Sequence, residues 1–455
     1  MVNRWAQGPT LELHRRNDSL ESRPYKTKKY MTILTIPFGG EPYELEVPDR
    51  NLAEVLSPKP SQAVPDLDAS IEAALVAPIA QSPLEAWVKP KDRVVIVSDD
   101  TTRLTPVHRM LPALLRHLNV AGVPNANISC IMALGTHRYM TETEMRAKVG
   151  DAIFGQIQVF NHEWRNPQAL ADLGTSSQGT PLLVNRAVVE ANVVIGLGTI
   201  VPHHISGFSG SSKIIQPGVC GDRTTAETHL LSCKSGGDSY LGIEDNPVRR
   251  DMDDMADRVG LRTIFNAVLN DAGDVVGLFY GATRPTFKAG VKLAREIYGV
   301  EYQEIPDIVL ANSHPCDLDF WQSHKSLYPA QRMVRPGGTI IVCTPAPEGV
   351  SPVHTQLLGF TAWSSQTIKA AYRDERLTNG VACALAIAWA RVREQASVIN
   401  YSPGITPEEK AKLGHTHAST LAWAVKEALR RQGPDARLTV LTHAPELLPI
   451  RPMTG

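Results

Sequence analysis

The sequence predicts an α/β protein in which two domains with largely parallel sheets enclose an active site in the cleft between them. Short β-branched runs such as Arg93–Val97 and Val193–Leu197 are typical of buried parallel strands. Each run is followed by a polar loop and then by a helical pattern, which is the order that a parallel sheet requires. The 455 residues suffice for two or three domains, since a domain usually takes roughly 100–200 residues.

Composition narrows the class of protein. The formal net charge of −1 indicates neither a nucleic-acid partner nor an acidic membrane surface. No stretch approaches the ~18 consecutive apolar residues that a membrane-spanning helix needs. The six cysteines are scattered and form no Cys-x-x-Cys pair, which argues against a disulfide framework and against a thiolate zinc site. Because the N-terminus also lacks a secretory signal, we expect a soluble, cytoplasmic protein.

Three segments are predicted along the chain. Residues 1–30 are basic and lack apolar periodicity, so we interpret them as a disordered tail or as a mis-called start with Met31 as the initiator. A transit peptide is the alternative, which the acidic residues of the segment disfavour. Residues 31–300 are predicted to form the N-terminal domain and residues 301–455 the C-terminal domain, because Glu301–Pro306 shows no periodicity.

The elements follow from local patterns. Thr32–Glu46 alternates apolar and polar residues around Gly39-Gly40, which predicts a hairpin. The other predicted elements of the N-terminal domain are helix Leu67–Ile79, strand Arg93–Val97, helix Val107–Leu118, strand Ile128–Leu134, a helix capped by Thr141 and Glu144, strand Val193–Leu197, strand Thr263–Leu269 and helix Phe287–Tyr298. Those of the C-terminal domain are strands Ile308–Ala311, Thr339–Cys343, Ser397–Tyr401 and Arg437–Leu441, and helices about Gly380–Glu394 and Ala418–Gln432.

Polar loops follow three of the predicted strands: Asp100–Arg103, Gly135–Arg138 and Pro202–Lys213. Ligands bind at the carboxyl ends of parallel strands, so we expect these loops to converge on one crevice. Arg103 is suited to binding a carboxylate through two parallel hydrogen bonds. The alternative is that Arg103 forms an ion pair with Asp100 that only holds the loop.

The Pro202–Lys213 run is too rich in Gly and Ser for a helix or a strand, and its backbone N–H groups could bind an anion. Lys213 suits either a phosphate clamp or a covalent attachment point. The match to a Walker A loop is poor, because the glycine spacing is wrong and Ile214 stands where Ser or Thr would hold magnesium. His229 is a candidate metal ligand, or else a solvated histidine near a helix start.

Two loop histidines, His137 and His203, could act as a paired acid and base, because imidazole titrates near neutral pH. A short polar cluster in the C-terminal domain adds Gln322 and Lys325, directly after Trp321.

These residues occur in an order that resembles the nickel-pincer lactate racemase family. The ordered set comprises Asp100-x-x-Arg103, Gly-Thr-His137-Arg, Pro-His203 ten residues before Lys213, His229 sixteen residues after it, and Gln322-x-x-Lys325. The resemblance runs from about Met31 to the C-terminus. Trp321 departs from the family pattern, which has a tyrosine-like aromatic residue there, and this change would reshape the pocket.

The resemblance implies a cofactor, a nickel-pincer nucleotide of the Ni(II)-pyridinium-3,5-bisthiocarboxylate mononucleotide type, bound covalently at Lys213. His229 would be the protein ligand to Ni(II), which suits a square-planar site completed by the cofactor. His137 and His203 would be the catalytic acid and base, and Arg103, Gln322 and Lys325 would bind the substrate. The residues implied to contact the cofactor are Lys213, Asp100, Thr101, Thr102, Arg103, Gln322 and Lys325.

The function implied by the resemblance is racemisation or epimerisation of a 2-hydroxy acid by reversible hydride transfer. The implied partners are the small 2-hydroxy acid and the enzymes that make the cofactor; the oligomeric state and the identity of the acid stay open. The alternative is a non-catalytic nucleotide- or phosphate-binding protein of the same fold, which needs only the Gly/Ser loop and Lys213. A P-loop phosphotransferase is a third hypothesis, which is disfavoured because the glycine spacing does not match a Walker A motif.

Overall fold

The computed structural model describes residues 30–234 and 239–451, so all but the last residue of the predicted tail 1–30 lies outside the described residues. The strands are β1 (Met31–Phe38), β2 (Glu41–Pro48), β3 (Leu52–Leu56), β4 (Val94–Asp99), β5 (Ile128–Ala133), β6 (Gln158–Asn161), β7 (Leu170–Thr175), β8 (Pro181–Asn185), β9 (Val193–Thr199), β10 (Pro202–His203), β11 (Gly207–Phe208), β12 (Leu261–Leu269), β13 (Val275–Ala282), β14 (Gly299–Glu301), β15 (Ile308–Asn312), β16 (Thr339–Cys343), β17 (Ser397–Tyr401), β18 (Thr416–Ala418), β19 (Leu438–Leu441) and β20 (Leu448–Ile450).

The α-helices are α1 (Leu67–Val76), α2 (Val107–Val120), α3 (Glu142–Val149), α4 (Asp151–Phe154), α5 (Arg186–Val189), α6 (Asp222–Ser232), α7 (Pro247–Arg258), α8 (Thr283–Tyr298), α9 (Phe320–Ser323), α10 (Leu327–Met333), α11 (Ser365–Arg373), α12 (Gly380–Gln395), α13 (Pro407–Lys412) and α14 (Leu421–Gln432). No helix of the described ranges is both long enough and apolar enough to cross a membrane.

The chain forms two compact units. Of the described residues, unit 1 comprises those up to Pro58, Gly299–Arg373 and those from Ala386 onward, and unit 2 comprises Lys59–Tyr298 and Asp374–Leu385. Each unit contains a six-stranded sheet in which most neighbours run parallel. The predicted α/β class with largely parallel sheets is therefore confirmed.

The sheet of unit 2 has the strand order β13-β12-β9-β4-β5-β6. All neighbouring pairs are parallel except β12 and β13, which form an antiparallel edge. Strand β4 is buried along its whole length, as its run of valine and isoleucine predicts for a central parallel strand. The chain adds strands on one side of β4 up to β6 and then returns to the other side with β9. The order of strands thus reverses between β4 and β9.

The sheet of unit 1 has the order β18-β17-β16-β15-β19-β3 and is parallel throughout. Its edge strand β3 comes from the N-terminal end of the chain and pairs with β19, near the C-terminal end. The predicted boundaries of the domains are wrong at this point: residues 31–58 belong with the C-terminal part of the chain. Residues 374–385 are the opposite case, since they belong to unit 2.

Local signals placed most elements within a few residues. The hairpin β1–β2 turns at Gly39-Gly40, both with positive φ. Thr141 and Glu144 form the predicted capping box of α3. The predicted helix Ala418–Gln432 begins too early, because Ala418 ends strand β18 and the Thr420 side chain caps a helix that starts at Leu421.

Candidate functional site

Three polar loops of unit 2 leave the carboxyl ends of three adjacent parallel strands. Loop 1 (Asp100–Thr105) follows β4, loop 2 (Gly135–Arg138) follows β5, and loop 3 (Val201–Pro217) follows β9. Because the strand order reverses between β4 and β9, loops 1 and 3 flank the switch point where α/β sheets bind ligands. A hydrogen bond of 2.8 Å from the Gly135 N–H to the Gly218 carbonyl ties loop 2 to the residue after loop 3. The sheet therefore gathers the predicted loops at one edge.

Asp100 joins loop 1 to loop 2. Its Oδ2 lies 2.7 Å from Nδ1 of His137, and its Oδ1 accepts hydrogen bonds from the backbone N–H and the hydroxyl of Thr102. Burial raises the pKa of Asp100, but the charge and hydrogen bond of His137 and the bonds from Thr102 outweigh it and hold the pKa well below its usual range. A carboxylate accepts from Nδ1–H, so the lone pair of a neutral His137 lies on Nε2.

The second ion pair of this region holds the start of loop 1. The Lys148 ammonium of α3 lies 2.9 Å from Oδ1 of Asp99 and donates a 2.8 Å hydrogen bond to the carbonyl of Arg103. Asp99 also accepts from Thr105. The alternative that Arg103 pairs with Asp100 is wrong: Arg103 is half-buried, and its guanidinium makes no hydrogen bond or ion pair to any residue that the structure describes.

His203 lies in a small hairpin, since β10 and β11 pair across Pro202–Phe208. The prediction of a loop without strands is wrong at these four residues. The backbone N–H of Ile205 donates to Nδ1 of His203 at 3.2 Å, which places the lone pair on Nδ1 and the proton of a neutral ring on Nε2. Gly207 adopts a φ of 79°, and a Cβ there would lie 2.0 Å from the Ile243 carbonyl oxygen, so only glycine fits.

Lys213 follows a strained turn. Gly210 and Ser211 have φ values of 78° and 53°, and the Ser211 N–H donates to Oδ1 of Asn266 on β12 at 3.1 Å. A residue other than glycine with positive φ is uncommon and marks a constrained segment. Lys213 itself lies half-buried in a single 3-10 turn, Ser211–Ile214.

His229 lies in the last turn of α6, not near a helix start as one of the sequence alternatives had it. Its ring is half-buried, and its Nδ1 lies 2.7 Å from the Thr225 carbonyl oxygen. A carbonyl accepts only from an N–H, so the proton is on Nδ1 and the lone pair is on Nε2. A backbone carbonyl on the second nitrogen is the usual orientation of a histidine that ligates a metal. In the described ranges, no group of three His, Cys, Asp or Glu side chains is arranged to hold a metal ion.

Gln322 and Lys325 lie in unit 1. They follow Asp319, whose side chain caps α9 by accepting from the Gln322 N–H at 2.7 Å. The Lys325 ammonium donates to Oε1 of Gln322, so the two predicted substrate ligands contact each other. Trp321, the residue that departs from the family pattern, stacks on His354 with ring centroids 4.2 Å apart.

Three residues that hold loop 3 are not predicted as site residues from the sequence: Arg249, Asp253 and Asn266. Arg249 donates to loop carbonyls, Asp253 accepts from Ser212 and Asn266 accepts from Ser211. Asn246-Pro247 is a recognisable helix start, and Asn246 does cap α7. That signal predicts a helix here, but nothing local indicates that the helix faces the loop.

Residues 38–239 match the family model of the lactate racemase N-terminal domain. A lactate racemase of Thermoanaerobacterium thermosaccharolyticum is 28% identical over 323 residues, which cover 70% of this chain and 76% of that protein. A lactate racemase of Lactiplantibacillus plantarum is 26% identical over 418 residues, or 90% and 98% of the two chains.

Two solved structures share the fold. The lactate racemase apoprotein of T. thermosaccharolyticum superposes with a TM-score of 0.81 at 25% identity, over 92% of this chain and all of that one. A crystal structure of a Thermotoga maritima protein gives a TM-score of 0.70 at 20% identity, over 86% of this chain and 100% of that chain. The second likeness concerns the fold alone.

Proposed function

We propose, on the premise that this chain belongs to the lactate racemase family, that it racemises or epimerises a 2-hydroxy acid by reversible hydride transfer at a nickel-pincer nucleotide bound to Lys213. Activity as a racemase is supported by the relatives, which are named lactate racemases. The choice among lactate and larger or sugar-derived 2-hydroxy acids is left to experiment, and so is the cytoplasmic location.

The observation that carries the proposal is the opposite tautomers of the two loop histidines. Asp100 fixes the Nε2 lone pair of His137, while the Ile205 N–H fixes the Nε2 proton of His203. In racemisation by hydride transfer, the hydroxyl proton is removed as the hydride leaves Cα, and the oxygen is protonated again when the hydride returns on the opposite face. His137 presents a lone pair that can take this proton and His203 presents an N–H donor; their roles exchange in the reverse direction once the Nδ1 hydrogen bond of His203 opens.

The residues present fit the nickel-pincer group. The Gly-rich turn before Lys213 leaves no room for a Cβ at Gly210, which would lie 2.8 Å from Ile200 Cγ1. The glycine therefore lets the turn pack closely against Ile200 and Asn266 and fixes the course of the backbone that leads to Lys213. The His229 tautomer directs a lone pair away from its helix, as a ligand of Ni(II) requires. When bound, the group supplies a pyridinium that accepts and returns hydride beside the metal.

The chain's own residues would then perform three tasks. Arg103, whose guanidinium has no partner among the described residues, binds the substrate carboxylate through two hydrogen bonds. His137 accepts the hydroxyl proton at Nε2, and Asp100 stabilises the resulting imidazolium. His203 donates a hydrogen bond from Nε2 to the substrate oxygen; as an imidazolium, with its Nδ1 released by the Ile205 N–H, it would return a proton to the keto oxygen when the hydride comes back on the opposite face. Gln322 and Lys325 of unit 1 stay predicted substrate contacts, and Thr101 and Thr102 stay predicted cofactor contacts.

The first experiment is intact-protein mass and nickel content of the chain co-produced with the enzymes that make the cofactor. We expect one adduct that maps to Lys213 and one nickel per chain. Lys213→Ala should acquire neither, whereas the control Lys89→Ala should acquire both, because the exposed Lys89 precedes β4 and so lies at the opposite end of that strand from loop 1. A fully active Lys213→Ala protein would overturn the proposal.

A second experiment tests the histidines and the hydride step. His137→Ala and His203→Ala should each lose racemase activity while retaining the adduct, since neither is the anchor. Hydride transfer also predicts that the substrate Cα hydrogen does not exchange with D₂O during turnover. Rapid exchange would instead indicate simple deprotonation at Cα.

The alternative, a nucleotide- or phosphate-binding protein without activity, uses the same Gly/Ser loop. It predicts an unmodified, nickel-free chain beside a control racemase that does load. The paired histidine tautomers favour the enzyme, because a binding protein needs no acid and base.

A further inference from the structure

One buried arginine supports the whole of the Gly/Ser segment in loop 3. Arg249 is 4% exposed, and its guanidinium donates to three loop carbonyls, those of Ser206, Phe208 and Gly210. These carbonyls alternate along the chain, so the segment between His203 and Lys213 curves around the guanidinium. The guanidinium carbon also lies 4.5 Å from the centroid of the Phe287 ring.

No carboxylate of the described residues lies within ion-pair distance of Arg249. Its charge is therefore balanced by carbonyl dipoles, by the aromatic ring and by the more distant carboxylates of Asp253 and Glu244. Burial lowers the pKa of Arg249 to about 10, which leaves the group protonated at neutral pH. A guanidinium has five N–H donors in a fixed plane and can hold several carbonyls at once, whereas a lysine ammonium is a compact point charge.

The same helix holds the rest of loop 3. Asp253, one helical turn after Arg249, accepts a hydrogen bond from the hydroxyl of Ser212. Asp251 accepts from the side-chain amide of Gln216 at 2.8 Å. Helix α7 thus contacts the segment before Lys213, the residue next to Lys213 and the segment after it.

We infer that Arg249 is a positioning residue that sets the spacing of His203 and Lys213, with Asp253 fixing the turn next to the lysine. This role requires neither residue to contact the substrate or the cofactor. The inference rests on the proposed function only where it treats Lys213 as the attachment point. That α7 shapes loop 3 rests on the hydrogen bonds alone.

The test compares Arg249→Met and Arg249→Lys with Arg250→Met, a neighbouring exposed arginine that pairs with Asp245 on the surface. Hydrogen exchange is followed in peptides of residues 203–217 and, as an internal reference, of residues 94–99. We expect Arg249→Met to speed exchange in 203–217 at least about tenfold, because four charge-assisted hydrogen bonds to three carbonyls are lost. Arg249→Lys should give a smaller rise, and the reference peptide and Arg250→Met should not change.

The loaded enzyme supplies a readout that a merely structural role would not move. Arg249→Met should lower the fraction of Lys213 that carries the adduct, measured by intact mass, and lower kcat per loaded chain about tenfold or more. KM should stay within about twofold, because Arg103 lies in loop 1. Arg249→Lys should recover part of both losses. Should Arg249→Met not fold, Arg249→Lys and Ser212→Ala carry the test, each with a smaller rise in exchange that is confined to residues 203–217.

Unchanged exchange in residues 203–217 of a folded Arg249→Met protein overturns the inference, and so does an equal rise in the reference peptide. Failure of the proposed function looks different. In that case the wild-type chain itself acquires no adduct at Lys213, while hydrogen exchange still decides whether Arg249 holds the loop.

Discussion

Loops 1 and 3 lie on the two sides of the same switch point but are held by opposite electrostatic means. Loop 1 is fixed by two buried carboxylates, Asp99 and Asp100, each with a cationic or ionisable partner on another element. The Gly/Ser segment of loop 3 before Lys213 is fixed chiefly by one buried cation, Arg249, whose hydrogen-bond partners are backbone carbonyls. The carboxylates of loop 1 also hold side chains in a defined state, whereas Arg249 holds only the course of the backbone.

Because of this difference, substitutions in the two loops should have different energetic costs. Removing one member of an ion pair leaves a buried charge without compensation, which is costly. Removing a group that binds dipoles leaves carbonyls without donors, at a cost spread over several weaker bonds. We therefore expect single substitutions that change a charge to disturb loop 1 strongly. Loop 3 should depend more on the shape of the group that donates hydrogen bonds to its carbonyls.

The largest effect is expected for Asp100→Asn, which keeps the size of the side chain. Thr102 holds Oδ1 as an acceptor, so the new amide nitrogen would face Nδ1 of His137 and donate to it. The ring proton then moves to Nε2, and His137 can no longer accept a proton there. We expect kcat to fall by about 10²–10⁴, with adduct formation at Lys213 retained.

The measurement is kcat across the pH range, with Asp92→Asn as the control. Asp92 is a half-buried residue just before β4, and its side chain accepts a hydrogen bond from the Lys89 N–H. A change in the pH profile of Asp100→Asn supports an effect through His137. Wild-type kcat in this variant would contradict the assigned tautomer.

The next effect concerns Lys148→Met, which leaves Asp99 buried without its cation. Both side chains are at most 10% exposed, so we expect a loss of about 3–5 kcal/mol in the free energy of unfolding. Denaturant unfolding checks this value. The double variant Asp99→Asn with Lys148→Met should recover most of the loss. Arg146→Ala, which removes from the same helix an arginine with surface ion pairs to Glu142 and Asp151, should cost much less than Lys148→Met, because exposed ion pairs contribute little. Equal losses in the single and double variants would count against a charge effect.

A smaller effect is expected on the free energy of unfolding when the pH is lowered. His162 donates from Nε2 to the carbonyl of Cys220, just after loop 3, and burial lowers the pKa of His162 to about 4. The unfolded chain has a pKa of about 6.5 and so binds the proton first as pH falls. Stability contributed by neutral His162 is complete above pH ~6.5 and is lost toward pH ~4; at pH 5 the loss is about 2 kcal/mol.

The free energy of unfolding should be measured between pH 7 and 5 for the wild type and for His162→Gln. The variant should lose the part of the slope that His162 contributes. Asp100 acts in a different window: its lowered pKa adds stability above its unfolded value near 4 that disappears below it. Identical slopes in the two proteins between pH 7 and 5 would show that His162 is not the titrating group.

The smallest effect is expected for Thr141→Ala. Its hydroxyl and the Glu144 side chain form the capping box of α3, the helix that supplies Lys148. Loss of the cap should lower the free energy of unfolding by about 1 kcal/mol. Thr406→Ala removes the corresponding box of α13 in unit 1 and serves as the comparison. Only Thr141→Ala should also raise hydrogen exchange in loop 1; a rise in both variants would argue against a local link.

Much of the site was readable from the sequence because its signals are local. A β-branched run followed by polar residues predicts a strand and the loop at its end, and β4, β5 and β9 all confirm this. Parallel strands place such loops at one edge, so the grouping of Asp100, His137 and His203 in unit 2 could be anticipated. The order of motifs then indicated the lactate racemase family, and the chain is similar to that family's N-terminal domain and to two proteins named lactate racemase. The roles of the individual residues stay predictions.

The tertiary structure alone decided which partners these residues take. Strand β3 joins the sheet of the C-terminal part because β19 offers a parallel edge nearly 400 residues later, and no local pattern encodes the choice of edge. Asp100 pairs with His137 and not with Arg103, and Arg249 reaches loop 3 from a helix some 40 residues further on. Periodicity and turn chemistry report on neighbours in the chain, whereas the protonation state of His137 and the course of loop 3 depend on groups that only packing brings within hydrogen-bond distance.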